Sequence, residues 1–187
     1  MINWLNARNG AAFFNHPGWD PFAFSEFDHF TATPCSKFVG LELWNDHDGF
    51  SKYYYNNGYY SGDGNKGYFD EALIRGWKIG AAGGDDNHTA TWGTSTPWRM
   101  GVLAPAKTRS DIFNAILEKR FFSTLDPNLV LSIKINGLDM GSTIPGGNWN
   151  LVIQAFDVDD EIITDIELLK NGAVIQSWTP GITHPLI

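Results

Sequence analysis

Cysteine is almost missing from this chain: Cys35 stands alone among 187 residues. That excludes an internal disulfide and any zinc cage built from cysteines. Long apolar runs are missing too, and no stretch approaches the roughly 20 residues a membrane-spanning helix needs. Met1 is not followed by the charged-then-apolar pattern of a secretory leader. Positive charge is scarce, with 13 Lys and Arg against 21 Asp and Glu and a formal charge of −8. The charges are spread without a basic block or an acidic tail. Charge-driven nucleic-acid binding or docking on an anionic membrane needs a concentrated positive surface, so neither is expected. An anionic substrate would have to be held by a local cluster or by a metal ion.

Apolar residues make up 43% of the sequence, and eight Trp and thirteen Phe are enough to bury a real core. Wholesale disorder is therefore excluded. The polar segments between apolar runs are rich in Gly, Asn, Asp and aromatic residues, a composition that leans toward an exported hydrolase. Asn3–Asn9 reads as the end of a helix stopped at Asn9-Gly10. Ala11–Asn15 is a continuously apolar strand of the kind covered on both faces. Further strands are expected at Phe38–Trp44, Lys78–Gly83 and Met100–Ala104. A short helix fits Phe69–Arg75, and Thr108 or Ser110 can cap a second one with Ile112, Phe113, Ile116 and Leu117 on one stripe. Alternating short strands and helices point to an α/β layer or barrel.

The pattern changes near Asp126-Pro127. Leu129, Leu131, Ile133 and Ile135 alternate, Leu151–Phe156 and Ile162–Lys170 read as strands, and Asn171-Gly172 is a two-residue hairpin signal leading into Ala173–Trp178. Two units follow: residues 1–127, and residues 128–187 as a small antiparallel β-sandwich.

The chemistry-bearing residues sit at the ends of apolar strands. His16 follows the first strand, and Asp86-Asn87-His88 follows Lys78–Gly83. In parallel α/β architectures the carboxyl ends of strands form the functional face. Residues i and i+2 of an extended segment point to one side, so Asp86 and His88 can reach one ion with a carboxylate oxygen and an imidazole nitrogen. That donor mix suits Zn, Mn or Fe better than Ca. The plain alternative is a turn in which Asp86 bonds its own backbone and His88 lies on the surface.

Three segments, Phe14-Asn15-His16-Pro17-Gly18, Gly40-Leu41-Glu42-Leu43-Trp44-Asn45 and Gly83-Gly84-Asp85-Asp86-Asn87-His88, occur in an order that resembles the polymerase-and-histidinol-phosphatase (PHP) family of metal-dependent phosphoesterases. Trp92-Gly93 and Ala115–Thr124 look like the end of the same domain, and the following β-rich segment resembles the tail of its CehA-like branch. The resemblance implies the C-terminal portion of a distorted (β/α)7 barrel over residues 1–127, with a multinuclear centre of divalent Zn, Mn or Fe. It implies His16, Asp86 and His88 as metal ligands, with Asp86 and Glu42 in catalytic positions. Glu42 would orient water or substrate; a partly buried acid paired with a neighbour is the alternative. The family's earlier H-x-H ligands have no counterpart before His16, so the resemblance implies that this chain holds part of a site.

The expected activity is hydrolysis of a small phosphorylated substrate by metal-bound hydroxide. His47, flanked by Asp46 and Asp48, and Arg120, after Lys119 at a helix end, are candidate substrate-binding residues. A solvated loop histidine and a cation placed at a helix C-terminus are the respective alternatives. The competing function is a non-catalytic module holding glycan or a surface partner through its aromatic loops. Gly62–Gly67 lacks the Lys-Ser/Thr of a phosphate loop.

Overall fold

The computed structural model describes residues 2–8, 10–15, 33–44, 68–171 and 173–187. Its first sheet is parallel, with β2 (Phe38–Trp44) between β1 (Ala12–Phe14) and β3 (Gly80–Gly83). Phe13 stands opposite Gly40, and Glu42 opposite Ala82. The segments expected as strands on apolar character alone do pair here, because a strand covered on both faces needs no polar alternation.

Helices α1 (Ile2–Asn6) and α2 (Tyr68–Ile74) cover this sheet. Leu5, Cys35, Phe38, Leu41, Tyr68, Ala72, Trp77 and Ile79 form its core. Phe14 stacks on Phe38 at 4.5 Å between ring centroids, and Trp77 meets both rings edge-on. Burying each large side chain contributes about 1.5–3 kcal/mol, so this aromatic knot is the main local stabiliser. Cys35 is buried, with its Sγ 3.3 Å from Asn6 Oδ1.

The barrel expectation is overturned. Among the described residues only β1, β2 and β3 pair as parallel strands, and no closed barrel forms. A (β/α) barrel needs each helix to lead into another parallel strand. Here β4 (Arg99–Val102) is followed by α3 (Arg109–Leu117) and then by β5 (Phe121–Thr124), which pairs antiparallel with β4. The alternation of strands and helices was legible, but it does not fix strand direction. Among the described residues the expected barrel portion followed by a sandwich gives way to four small sheets, two of three strands and two of two.

Beyond β5, β6 (Val130–Ile135) lies between β7 (Leu138–Asp139) and β8 (Leu151–Phe156), all antiparallel. Asn136 and Gly137, both with positive φ, make the β6–β7 turn. Ile153 and Ala155 are the buried positions of β8, in strict alternation with exposed ones. Backbone bonds in both directions between Ile153 and Ile187 extend this sheet along the β8 edge. Strands β9 (Ile166–Lys170) and β10 (Ala173–Trp178) pair antiparallel with Ala173 opposite Lys170, as the Asn171-Gly172 signal predicts. No helix among the described residues is long and apolar enough to cross a membrane.

Candidate functional site

Because β1, β2 and β3 are parallel, all three end on one edge of their sheet. Strand β3 stops at Gly83, and the chain runs through Gly84 and Asp85 to Asp86, whose φ of 42° places it in the left-handed region. Asp86 and His88 come together there, with His88 Nε2 3.2 Å from Asp86 Oδ1. The His88 side chain is 82% exposed and that of Asp86 27%. Glycine at 83 is a steric requirement. A β-carbon there would lie 2.3 Å from Ser123 Oγ and 3.2 Å from the Arg99 carbonyl oxygen.

Asn87, which the sequence reading passed over, organises the turn. Its Oδ1 accepts from the Thr89 and Thr91 amides, while its Nδ2 donates to Thr91 Oγ1 and Ser95 Oγ. The Trp92 indole N–H donates to the Asn87 carbonyl. Asp85 Oδ2 accepts from the Gly93 amide and Ser95 Oγ. The Arg99 guanidinium closes the loop on the carbonyls of Gly93, Thr96 and Trp98. A side chain that satisfies this many backbone groups sets a loop's shape. Its sequence signal was an Asn flanked by short hydroxyl residues at i+2, i+4 and i+8.

The other expected site residues divide. Glu42 is half-buried near the carboxyl end of β2 and so shares the sheet edge with Asp86 and His88. His16 and His47 lie outside the described residues. Arg120 does not join the site. Strand β5 runs alongside β3 in the same direction, with Phe121 against Gly80 and Ser123 against Gly83. Arg120 therefore sits beyond the opposite end of β3, where it pairs with Glu118 at 2.6 Å. With Lys119, Gly137 and Gly141 it lines a cavity of about 410 Å³. Lys119 in this cavity has its pKa lowered, first by burial and then by the nearby charge of Lys78.

A second polar cluster drew no notice in the sequence: Asp126, Asp157 and Glu161. Its signal was the spacing Asp157-x-Asp159-x-Glu161 directly after an apolar strand.

No family model matches the chain, and no solved structure matches it. An uncharacterized protein of Chlamydia pneumoniae is 26% identical over 90 residues, covering 46% of this chain. The matched part is 14% of that protein's length.

Proposed function

We propose that the Asp86-Asn87-His88 turn is part of a divalent-metal site that hydrolyses a small phosphoester, related to the PHP-type centres that its motifs resemble. The observation that carries this reading is the imidazole nitrogen of His88 beside the carboxylate oxygen of Asp86 at the carboxyl end of a parallel strand. One nitrogen and one carboxylate oxygen form a donor set for Zn, Mn or Fe. The ion would polarise a phosphoryl oxygen and lower the pKa of a bound water. Asn87 holds the two ligands in register, and Glu42 on the same edge is placed to orient water or substrate. The reading does not depend on a closed barrel, since it uses only the edge of the β1–β2–β3 sheet. Arg120 has no part in it.

The test is metal analysis of the 187-residue chain together with p-nitrophenyl phosphate turnover in added Mn or Zn. Bound transition metal is expected, and Asp86→Ala with His88→Ala should remove it and lower any turnover at least about 100-fold. Unchanged metal content and rate in that double variant would sink the assignment.

One observation favours the non-catalytic alternative. Trp92 is 73% exposed, with its indole N–H tied to the Asn87 carbonyl so that the ring is held outward. Such a ring can stack on a sugar. Glycan binding that Trp92→Ala abolishes, in a chain that takes up no metal, would establish that reading instead.

A further inference from the structure

The acid cluster shares no residue with the Asp86 turn and lies past the end of β5, where the chain passes from its first half to its second. Asp126 directly follows β5 and leads into β6, whereas Asp157 and Glu161 sit in the segment after β8. One carboxylate oxygen from each of the three lies within 4.8 Å of the others. Each aspartate is oriented through one oxygen by the backbone. Asp126 Oδ1 accepts from the Asn128 and Leu129 amides, and Asp157 Oδ1 accepts from the Asp159 and Glu161 amides.

The telling atom is the other oxygen of Asp157. Asp157 is only 1% exposed, yet its Oδ2 has no hydrogen-bond partner. A buried carboxylate oxygen without a donor is unfavourable, and here the neighbouring groups are two more acids. His184 Nε2 lies 3.6 Å from Asp160 Oδ1 and is not a partner of Asp157 Oδ2. Asn128 Oδ1 is a second buried oxygen without a partner, two residues from Asp126.

We propose that Asp126, Asp157 and Glu161 bind a hard divalent cation, with calcium the best fit, which ties the β5–β6 crossover to the segment after β8. The donors are all oxygens, and the cluster includes neither histidine nor cysteine, which separates it from the nitrogen-containing Asp86–His88 pair. Calcium–oxygen distances of about 2.3–2.6 Å let opposed ligands stand about 5 Å apart, and calcium accepts irregular shells completed by carbonyls and water. Magnesium demands near-ideal octahedral geometry and keeps several of its waters, which suits an irregular set of three carboxylates less well. Since the ion would bind the folded arrangement only, it would stabilise the fold by mass action.

The experiment is thermal unfolding and titration calorimetry of the 187-residue chain, stripped with chelator and then given calcium, magnesium or matched sodium chloride. Calcium should raise Tm by several degrees with one ion bound per chain, and magnesium should need at least about tenfold higher concentration for the same shift. Asp157→Asn, which keeps the oxygen that accepts the two amides, and the milder exposed variant Glu161→Gln should each lose the shift. Asp86→Ala with His88→Ala should keep it, so that the two metal sites stand or fall separately. The proposal is overturned if calcium up to about 10 mM, roughly ten times the weak limit for such modules, leaves Tm unmoved. It is equally overturned if Glu161→Gln responds as the native chain does, or if magnesium binds as tightly as calcium.

Discussion

The backbone of Gly141 lies against the carbonyl of Glu118, so closely that a β-carbon at position 141 would come within 2.0 Å of that oxygen. This contact, with the Lys78 Nζ to Thr143 Oγ1 bond of 3.4 Å, joins the loop after β7 to the end of α3 and to the start of β3. The φ of Gly141 is +85°, which a side chain would strain in any case.

Gly141→Ala should therefore destabilise the chain by about 2–4 kcal/mol, combining overpacking against backbone with left-handed strain. Gly146→Ala, where a β-carbon meets nothing within 4 Å, is the control and should stay within about 0.5 kcal/mol. Urea denaturation of the two variants checks this. Equal midpoints would mean that the two halves do not depend on the contact.

Helix α3 ends in a Schellman motif, with the Arg120 amide bonded to the Ala115 carbonyl and the Lys119 amide to that of Ile116. The residue at its left-handed position is Lys119, at φ 61°, where glycine would be free of strain. Lys119→Gly should raise stability by about 0.5–1 kcal/mol after the entropy of an unfolded glycine is subtracted. Melting curves in which the variant is less stable would contradict the motif's energetics.

The same lysine sets a pH dependence. Its folded pKa lies below 10.5, through burial and then the charge of Lys78. Between the folded and unfolded values the unfolded chain binds more protons, so this group makes stability rise with pH across that window. Lys119→Met, which keeps the backbone strain and removes the charge, should flatten the rise in denaturation midpoints on the alkaline side. An unchanged slope would show that Lys119 stays fully charged in the folded chain.

Asn87→Ala removes the acceptor for the Thr89 and Thr91 amides. Hydrogen exchange at those two amides should speed up by about tenfold, while global stability falls by no more than about 1 kcal/mol because the loop is exposed. Asn87→Asp keeps the acceptor and loses the donors to Thr91 and Ser95, so its exchange should fall between the two. Native-like exchange in the alanine variant would mean that Asp85 and Arg99 hold the loop without Asn87.

The parts of the fold that were legible rest on local physics. Apolar runs bounded by Gly and Pro gave β1, β2 and β3, Thr108 capped α3 by accepting from the Asp111 amide, and the alternation of β8 placed Ile153 and Ala155 inside. The Asn-Gly pairs marked turns because few residues tolerate positive φ. Strand direction was not legible: β5 returns antiparallel to β4 through a helix, a choice made by packing of Phe121 and Phe122 against Gly80 and Gly101.

The sequence by itself determined that Asp86 and His88 would follow the apolar strand β3, because spacing along a chain is covalent. Only the tertiary structure decided that Arg120 stands at the far end of β3. It alone brought Asp126 to Asp157 and Glu161, across 31 and 35 positions of chain. No local periodicity encodes such a meeting, since the segments after β5 and after β8 come together only in the folded chain.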